Sequence, residues 1–139
     1  AGIPNEVPPD IMRVLWWKFM INVGVNQASA VLRAPYGVFQ SSADARALMV
    51  SLMQEVIALA KKINIDLTSK DLDEWTAILG TLSPQGKTSM LQDIEAGRKT
   101  EVEIFAGKVV ALGNQYLVPT PVNQTLQRII KGIEHKDGF

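Results

Sequence analysis

The sequence contains no cysteine and a single histidine, His135. Disulfides, thiol nucleophiles and thiolate metal centres are excluded. Zinc sites and Ser-His-Asp chemistry are left almost without ligands or bases. A chain without cysteine fits a reducing compartment, and the cytoplasm is the expected location. Neither sign of charge dominates, since 14 Lys and Arg balance 14 Asp and Glu. With no basic run and 6% aromatic residues, the chain offers nothing to attract nucleic acid or an anionic membrane. It has no G-x-G-x-x-G and no Walker loop, so it cannot by itself present the usual dinucleotide site. Clean alternating runs and Asn-Gly or Asp-Gly hairpins are missing, which removes the usual signals of strands. The N-terminus, Ala1 to Asn5, shows no basic segment followed by an apolar core. It lacks an initiator methionine and reads as the start of a fragment or a processed chain.

What is present is helical periodicity. A chain of 139 residues fits one compact domain. It can bury roughly 65–70% of the surface its unfolded form exposes, without a staple. The first helix is expected from Val7 to Leu32, with Pro8 and Pro9 in its first turn, where missing N–H groups do no harm. Val14 to Leu32 is apolar, but it carries Lys18, Asn22, Asn26 and Gln27. A central lysine costs about 2.5–3.5 kcal/mol in a lipid span, so a buried helix is the better reading. Ala34-Pro35-Tyr36-Gly37 ends it. A second helix runs from an N-cap at Ser41 or Ser42 to Lys62, with Leu48, Leu52, Val56 and Leu59 on its core face. A third spans Thr68 or Ser69 to Leu79, a fourth Ser89 to about Gly97, and a fifth Thr100 to Tyr116. The last takes Thr120 as N-cap and Pro121 as N1 and ends near Glu134, leaving a loose tail with a solvated His135. The expectation is an all-α chain of about six helices, forming one domain over residues 1–139.

Two segments could carry chemistry. Lys18, Asn22 and Asn26 follow one another at intervals of four, and each step advances about 40° around a helix, so they form one slanting stripe that Ser29 extends. The rest of that surface is Trp16, Trp17, Phe19, Met20, Ile21 and Val23. The stripe is therefore expected inside the protein or along a cleft. Buried polar groups cost on the order of 1–3 kcal/mol each when unpaired. Either a small polar ligand pairs with them, or the lysine snorkels to solvent while the asparagines bond neighbouring helices. The second segment is Thr88-Ser89-Met90-Leu91-Gln92-Asp93, continuing to Arg98-Lys99-Thr100-Glu101. Ser89 with Gln92 fits a capping box, and Arg98 with Glu101 fits an ion pair three residues apart. Alternatively Ser89 is a hydroxyl at a helix N-terminus, where anions are favoured, with Glu101 facing the same cleft.

Four stretches, taken in order, resemble the C-terminal domain of ketopantoate reductases, also called 2-dehydropantoate 2-reductases. They are Trp17-Lys18-Phe19-Met20-Ile21-Asn22 through Asn26, Ser89 to Asp93, Arg98 to Glu101, and Val118-Pro119-Thr120-Pro121-Val122-Asn123. The resemblance covers nearly the whole chain. It implies a helical domain like that of 6-phosphogluconate dehydrogenase, preceded in the full protein by a Rossmann domain, with catalysis in the cleft between them. It implies NADPH as cofactor, bound mainly by that other domain, and a 2-keto acid as substrate, with a homodimer compatible. Lys18 then matches the lysine that gives a proton to the developing alkoxide. Asn22 and Asn26 match residues holding the substrate's hydroxyl and carbonyl groups, and Ser89 matches a contact to its carboxylate. Glu101 matches an acidic site residue that positions substrate or nicotinamide ribose. No metal is implied. The loop Pro84-Gln85-Gly86-Lys87 lacks an asparagine that some members use. This keeps another branched 2-keto acid open as substrate, beside a non-catalytic helical dimerisation module. The chain alone is expected to be inactive.

Overall fold

The computed structural model describes residues 8–138. The expected helix start at Val7, the reading of Ala1 to Asn5 and Phe139 lie outside them. Every regular element among the described residues is helical. In chain order these are α1 (Pro9–Ile21), a π turn π1 (Asn22–Asn26), α2 (Gln27–Leu32), α3 (Tyr36–Ser41), α4 (Ala43–Lys62), α5 (Ser69–Leu79), α6 (Ser89–Ala96), a second π turn π2 (Glu103–Gly107), α7 (Lys108–Tyr116) and α8 (Pro121–Asp137).

The expected first helix is continuous from Pro9 to Leu32 but contains π1, a widened i→i+5 turn. It ends at Arg33, whose left-handed backbone (φ 51°) lets the N–H of Ala34 return to the Ser29 carbonyl at 3.0 Å. Helix α3 was read from sequence as loop. Its first N–H groups are satisfied by distant backbone, Tyr36 N to Gly86 O and Gly37 N to Pro84 O, both at 2.9 Å. Local sequence carries no trace of such a cap. With α3 the described residues hold seven continuous helices rather than six.

Local chemistry sets several ends as expected. Ser42 caps α4 by accepting from Ala45 N at 3.1 Å. Thr68 caps α5 by accepting from Lys70 N at 3.3 Å, and Asp71 closes the capping box by accepting from Thr68 N at 2.9 Å. Other ends differ. The N-cap of α6 is Thr88, which accepts from Leu91 N at 3.2 Å, so Ser89 is the first helical residue and Gln92 donates to the Lys87 carbonyl instead of closing a box. The expected start at Thr100 falls before helix begins, because Thr100 is held by Glu134 through its N–H and its hydroxyl, both at 2.7 Å. Helix α8 continues through His135 to Asp137, so the tail read as loose is its last turn, although His135 is exposed as expected.

Helix α4 runs through the centre of the packing, against α1, π1, α7 and α8. It buries Met49, Leu52, Met53, Val56 and Leu59, whereas Leu48 is half-buried at the core's edge. Each such side chain contributes roughly 1.5–3 kcal/mol through burial. Gly24 is what lets π1 lie against α4, since a Cβ there would stand 2.5 Å from Met53 Cγ and 3.2 Å from the Met49 carbonyl. The long first helix buries its core face from Met20 to Ala30. Its N-terminal half projects beyond the core, leaving Ile11, Val14 and Leu15 about half exposed, contrary to the expectation of burial on most sides.

Candidate functional site

Lys18 lies in the last turn of α1, and Asn22 and Asn26 open and close π1. An α step of four residues overshoots a full turn by about 40°, whereas the wider π turn advances roughly 80° per residue and falls short of one. The second step brings Asn26 back towards the bearing of Lys18 and leaves Asn22 about 40° to one side, so the row does not slant steadily as in an unbroken α-helix. Lys18 is exposed, and Asn22 and Asn26 are half-buried. The row therefore lies at the surface, not in the interior. Neither asparagine side chain bonds a neighbouring helix among the described residues. The polar contacts of this helix with its surroundings are made by Arg13, Gln27 and Ser29 instead.

Ser29 does not extend the row. It is 1% exposed, donates to the Asn26 carbonyl at 3.0 Å, and shares a short hydrogen bond with Thr88 Oγ1. That bond ties α2 to the N-cap of α6 and so fixes Ser89, the exposed next residue, relative to the helix carrying the row. Glu101 is exposed just before π2, and its backbone carbonyl accepts from Ile104 N at 3.0 Å and Phe105 N at 3.3 Å. Its carboxylate does not pair with Arg98. Arg98 turns back to Asp93 at 3.1 Å, a partner the left-handed Gly97 brings within reach. Among the described residues, no side-chain hydrogen bond or ion pair joins Lys18, Asn22, Asn26, Ser89 and Glu101 to one another.

A surface cavity of about 260 Å³ opens beside Lys18, lined also by Arg13, Val14, Trp17 and Glu74. Arg13 is engaged there by the buried carboxylate of Asp71. The indole N–H of Trp17 is buried and has no partner. The sequence reading gave Arg13, Trp17 and Glu74 no site role, because their proximity depends on how α1 lies against α5. Among the described residues no group of acidic, histidine or cysteine side chains could hold a metal ion. Among the described residues no helix is long and apolar enough to cross a membrane.

The same all-α arrangement occurs in part of larger solved enzymes. D-mandelate dehydrogenase, solved with NADH and anilino(oxo)acetate, superposes with a TM-score of 0.86 at 20% identity, covering 94% of this chain and 43% of that one. The structure of a ketopantoate reductase from Ralstonia eutropha superposes with a TM-score of 0.84 at 28% identity, covering 99% of this chain and 46% of that one. The 2-dehydropantoate 2-reductase of Pyrobaculum aerophilum is 32% identical over 125 residues, which are 90% of this chain and 44% of the relative. Residues 10–134 match the family described as ketopantoate reductase PanE/ApbA C terminal. The chain belongs to the ketopantoate reductase family and corresponds to its C-terminal, all-α domain. It spans less than half the length of the relatives it matches.

Proposed function

We propose that the chain is the substrate-side half of an NADPH-dependent reductase that converts 2-dehydropantoate to pantoate in pantothenate biosynthesis, and that residues 1–139 form one domain completed by an N-terminal Rossmann domain. One observation carries this reading. Two half-buried asparagines stand in a row with an exposed lysine, and neither is used to bond a neighbouring helix. Buried or half-buried amides are normally paired, so a row of unused donors and acceptors fits a polar ligand.

Each residue then has a task. Asn22 and Asn26 orient the keto acid by its hydroxyl and carbonyl oxygens. Ser89, in the first turn of α6, donates to its carboxylate, where the helix end favours an anion. Lys18 holds a proton on Nζ next to the ketone oxygen, stabilises the negative charge that develops there and passes the proton on. The exposed, unpaired carboxylate of Glu101 suits the hydroxyls of a nicotinamide ribose or of the substrate. NADPH, when bound, supplies the hydride. The Rossmann half closes the cleft and excludes water, and a soluble cytoplasmic enzyme is the setting in which such chemistry operates. A second reading, reduction of another branched 2-keto acid with NADH in place of NADPH, is kept by the loop Pro84-Gln85-Gly86-Lys87, which lacks an asparagine that some members use; D-mandelate dehydrogenase, solved with NADH, shares the fold.

NADPH oxidation by the full-length protein tests this, with ketopantoate compared against other branched 2-keto acids. Preferred turnover of ketopantoate is expected. Turnover of another keto acid alone moves the substrate and keeps the mechanism. No turnover of any leaves a helical dimerisation module in its place. Lys18→Ala in the full-length protein should lower kcat by on the order of 10²–10⁴-fold with little loss of folding; an unchanged rate would remove the lysine from the chemistry.

A further inference from the structure

Gln27 is fully buried, and its amide stands between the two π turns. Nε2 donates to the Val23 carbonyl within π1 at 2.7 Å and to Asn123 Oδ1 at 3.1 Å. Oε1 accepts from the Ala106 N–H within π2 at 2.9 Å. That N–H lies where the backbone ladder changes step. Phe105 N reaches four residues back to Glu101 at 3.3 Å, and Gly107 N reaches five back to Val102 at 3.0 Å. A π turn inside a helix displaces backbone groups from regular pairing, and buried ones need a partner from elsewhere. Gln27 supplies one to each turn. Its own orientation is fixed in turn, because Asn123 Nδ2 donates to Glu55 Oε1 at 2.8 Å and to the Leu52 carbonyl at 3.3 Å.

These are the turns that present the candidate site. Asn22 and Asn26 bound π1, and the Glu101 carbonyl begins the ladder leading into π2. We propose that Gln27 is a positioning residue: it locks π1 against π2 and thereby sets Asn22 and Asn26 at a fixed place relative to Glu101. This inference rests on the reductase reading above.

A double-mutant cycle in the full-length reductase tests it, with kcat/KM for the preferred keto acid as the readout. Gln27→Met keeps length and apolar volume but makes neither bond. It should lower kcat/KM by on the order of tenfold to a hundredfold, the scale of a misplacement of about 1 Å, at unchanged far-ultraviolet circular dichroism. In a background lacking both asparagine amides, Asn22→Ala with Asn26→Ala, the same substitution should cost less than about twofold, because its effect passes through those two residues. Should Gln27→Met fail to fold, Gln27→Asn, whose amide is too short to reach both turns, is read by the same cycle. Losses that multiply independently would reduce Gln27 to a structural residue and overturn the inference, as would a kcat/KM unchanged per folded molecule. Wild-type turnover in Asn26→Ala alone is a different result. So is a full-length protein inactive on every branched 2-keto acid. Either would overturn the functional reading itself and this inference with it.

Discussion

Glu55 is a carboxylate 9% exposed in the middle of α4, where sequence pattern alone would place a solvated residue. It caps another helix. Oε2 accepts from Val122 N at 2.9 Å, and Oε1 accepts from Asn123 N at 2.9 Å and Asn123 Nδ2 at 2.8 Å. Pro121 at N1 has no N–H, so Glu55 takes the next two backbone donors of α8, and the positive end of that helix faces its charge. Glu55→Ala would leave the buried N–H of Asn123, the part-buried N–H of Val122 and one of the two amide protons of Asn123 without an acceptor, at about 1–3 kcal/mol each, and open a cavity as well. These losses overlap, and a net destabilisation of about 3–5 kcal/mol is expected. For a chain of this size that is a Tm lowered by roughly 9–15 °C. Glu55→Gln should lose about 1–3 kcal/mol, since one oxygen becomes a donor facing a donor. Thermal unfolding of the 139-residue chain at neutral pH, followed by circular dichroism, measures both. An alanine variant within about 1 kcal/mol of wild type would refute the claim that this carboxylate anchors α8.

Two further outcomes are expected. Gly24→Ala gains about 1 kcal/mol in helix propensity but forces a methyl against Met53 and the Met49 carbonyl, an overpacking that costs about 1–3 kcal/mol. Urea unfolding should show net destabilisation; a variant more stable than wild type would mean that Met53 moves aside freely. Glu103 is held below the ordinary glutamate range, first by the hydrogen bond from Lys131 and also by the charges of Lys131 and Lys99 and by Gln127. A carboxyl lowered in the fold adds stability above its unfolded value and loses it as pH falls through the folded one. This contribution is small, because the pair is exposed to solvent. Lys131→Met should bring the Glu103 titration midpoint, read by NMR, up towards the ordinary value; an unmoved midpoint would assign the shift to other groups.

The sequence by itself determined the fold class, most helix bodies, and the order Lys18, Asn22, Asn26, Ser89, Glu101. Each of these rests on local chemistry: periodic apolar positions, Ser42 and Thr68 as caps, Pro121 as a first helical residue. The resemblance to ketopantoate reductases was legible for the same reason, being carried by short motifs in fixed order. Tertiary structure decided what depends on distant partners. Helix α3 exists because the loop carrying Pro84 and Gly86 accepts its first N–H groups. Thr88 rather than Ser89 caps α6, with Ser29 fixing it from another helix. The π turns have no propensity signature that marked them in advance. Gln27, Asn123 and Glu55 likewise meet across separations of 96 and 68 residues. Buried hydrogen bonds over such distances require the packed core to exist first. That is why Gln27, whose neighbours Asn26 and Ser29 were singled out, gave no sign in the sequence of linking the two halves of the site.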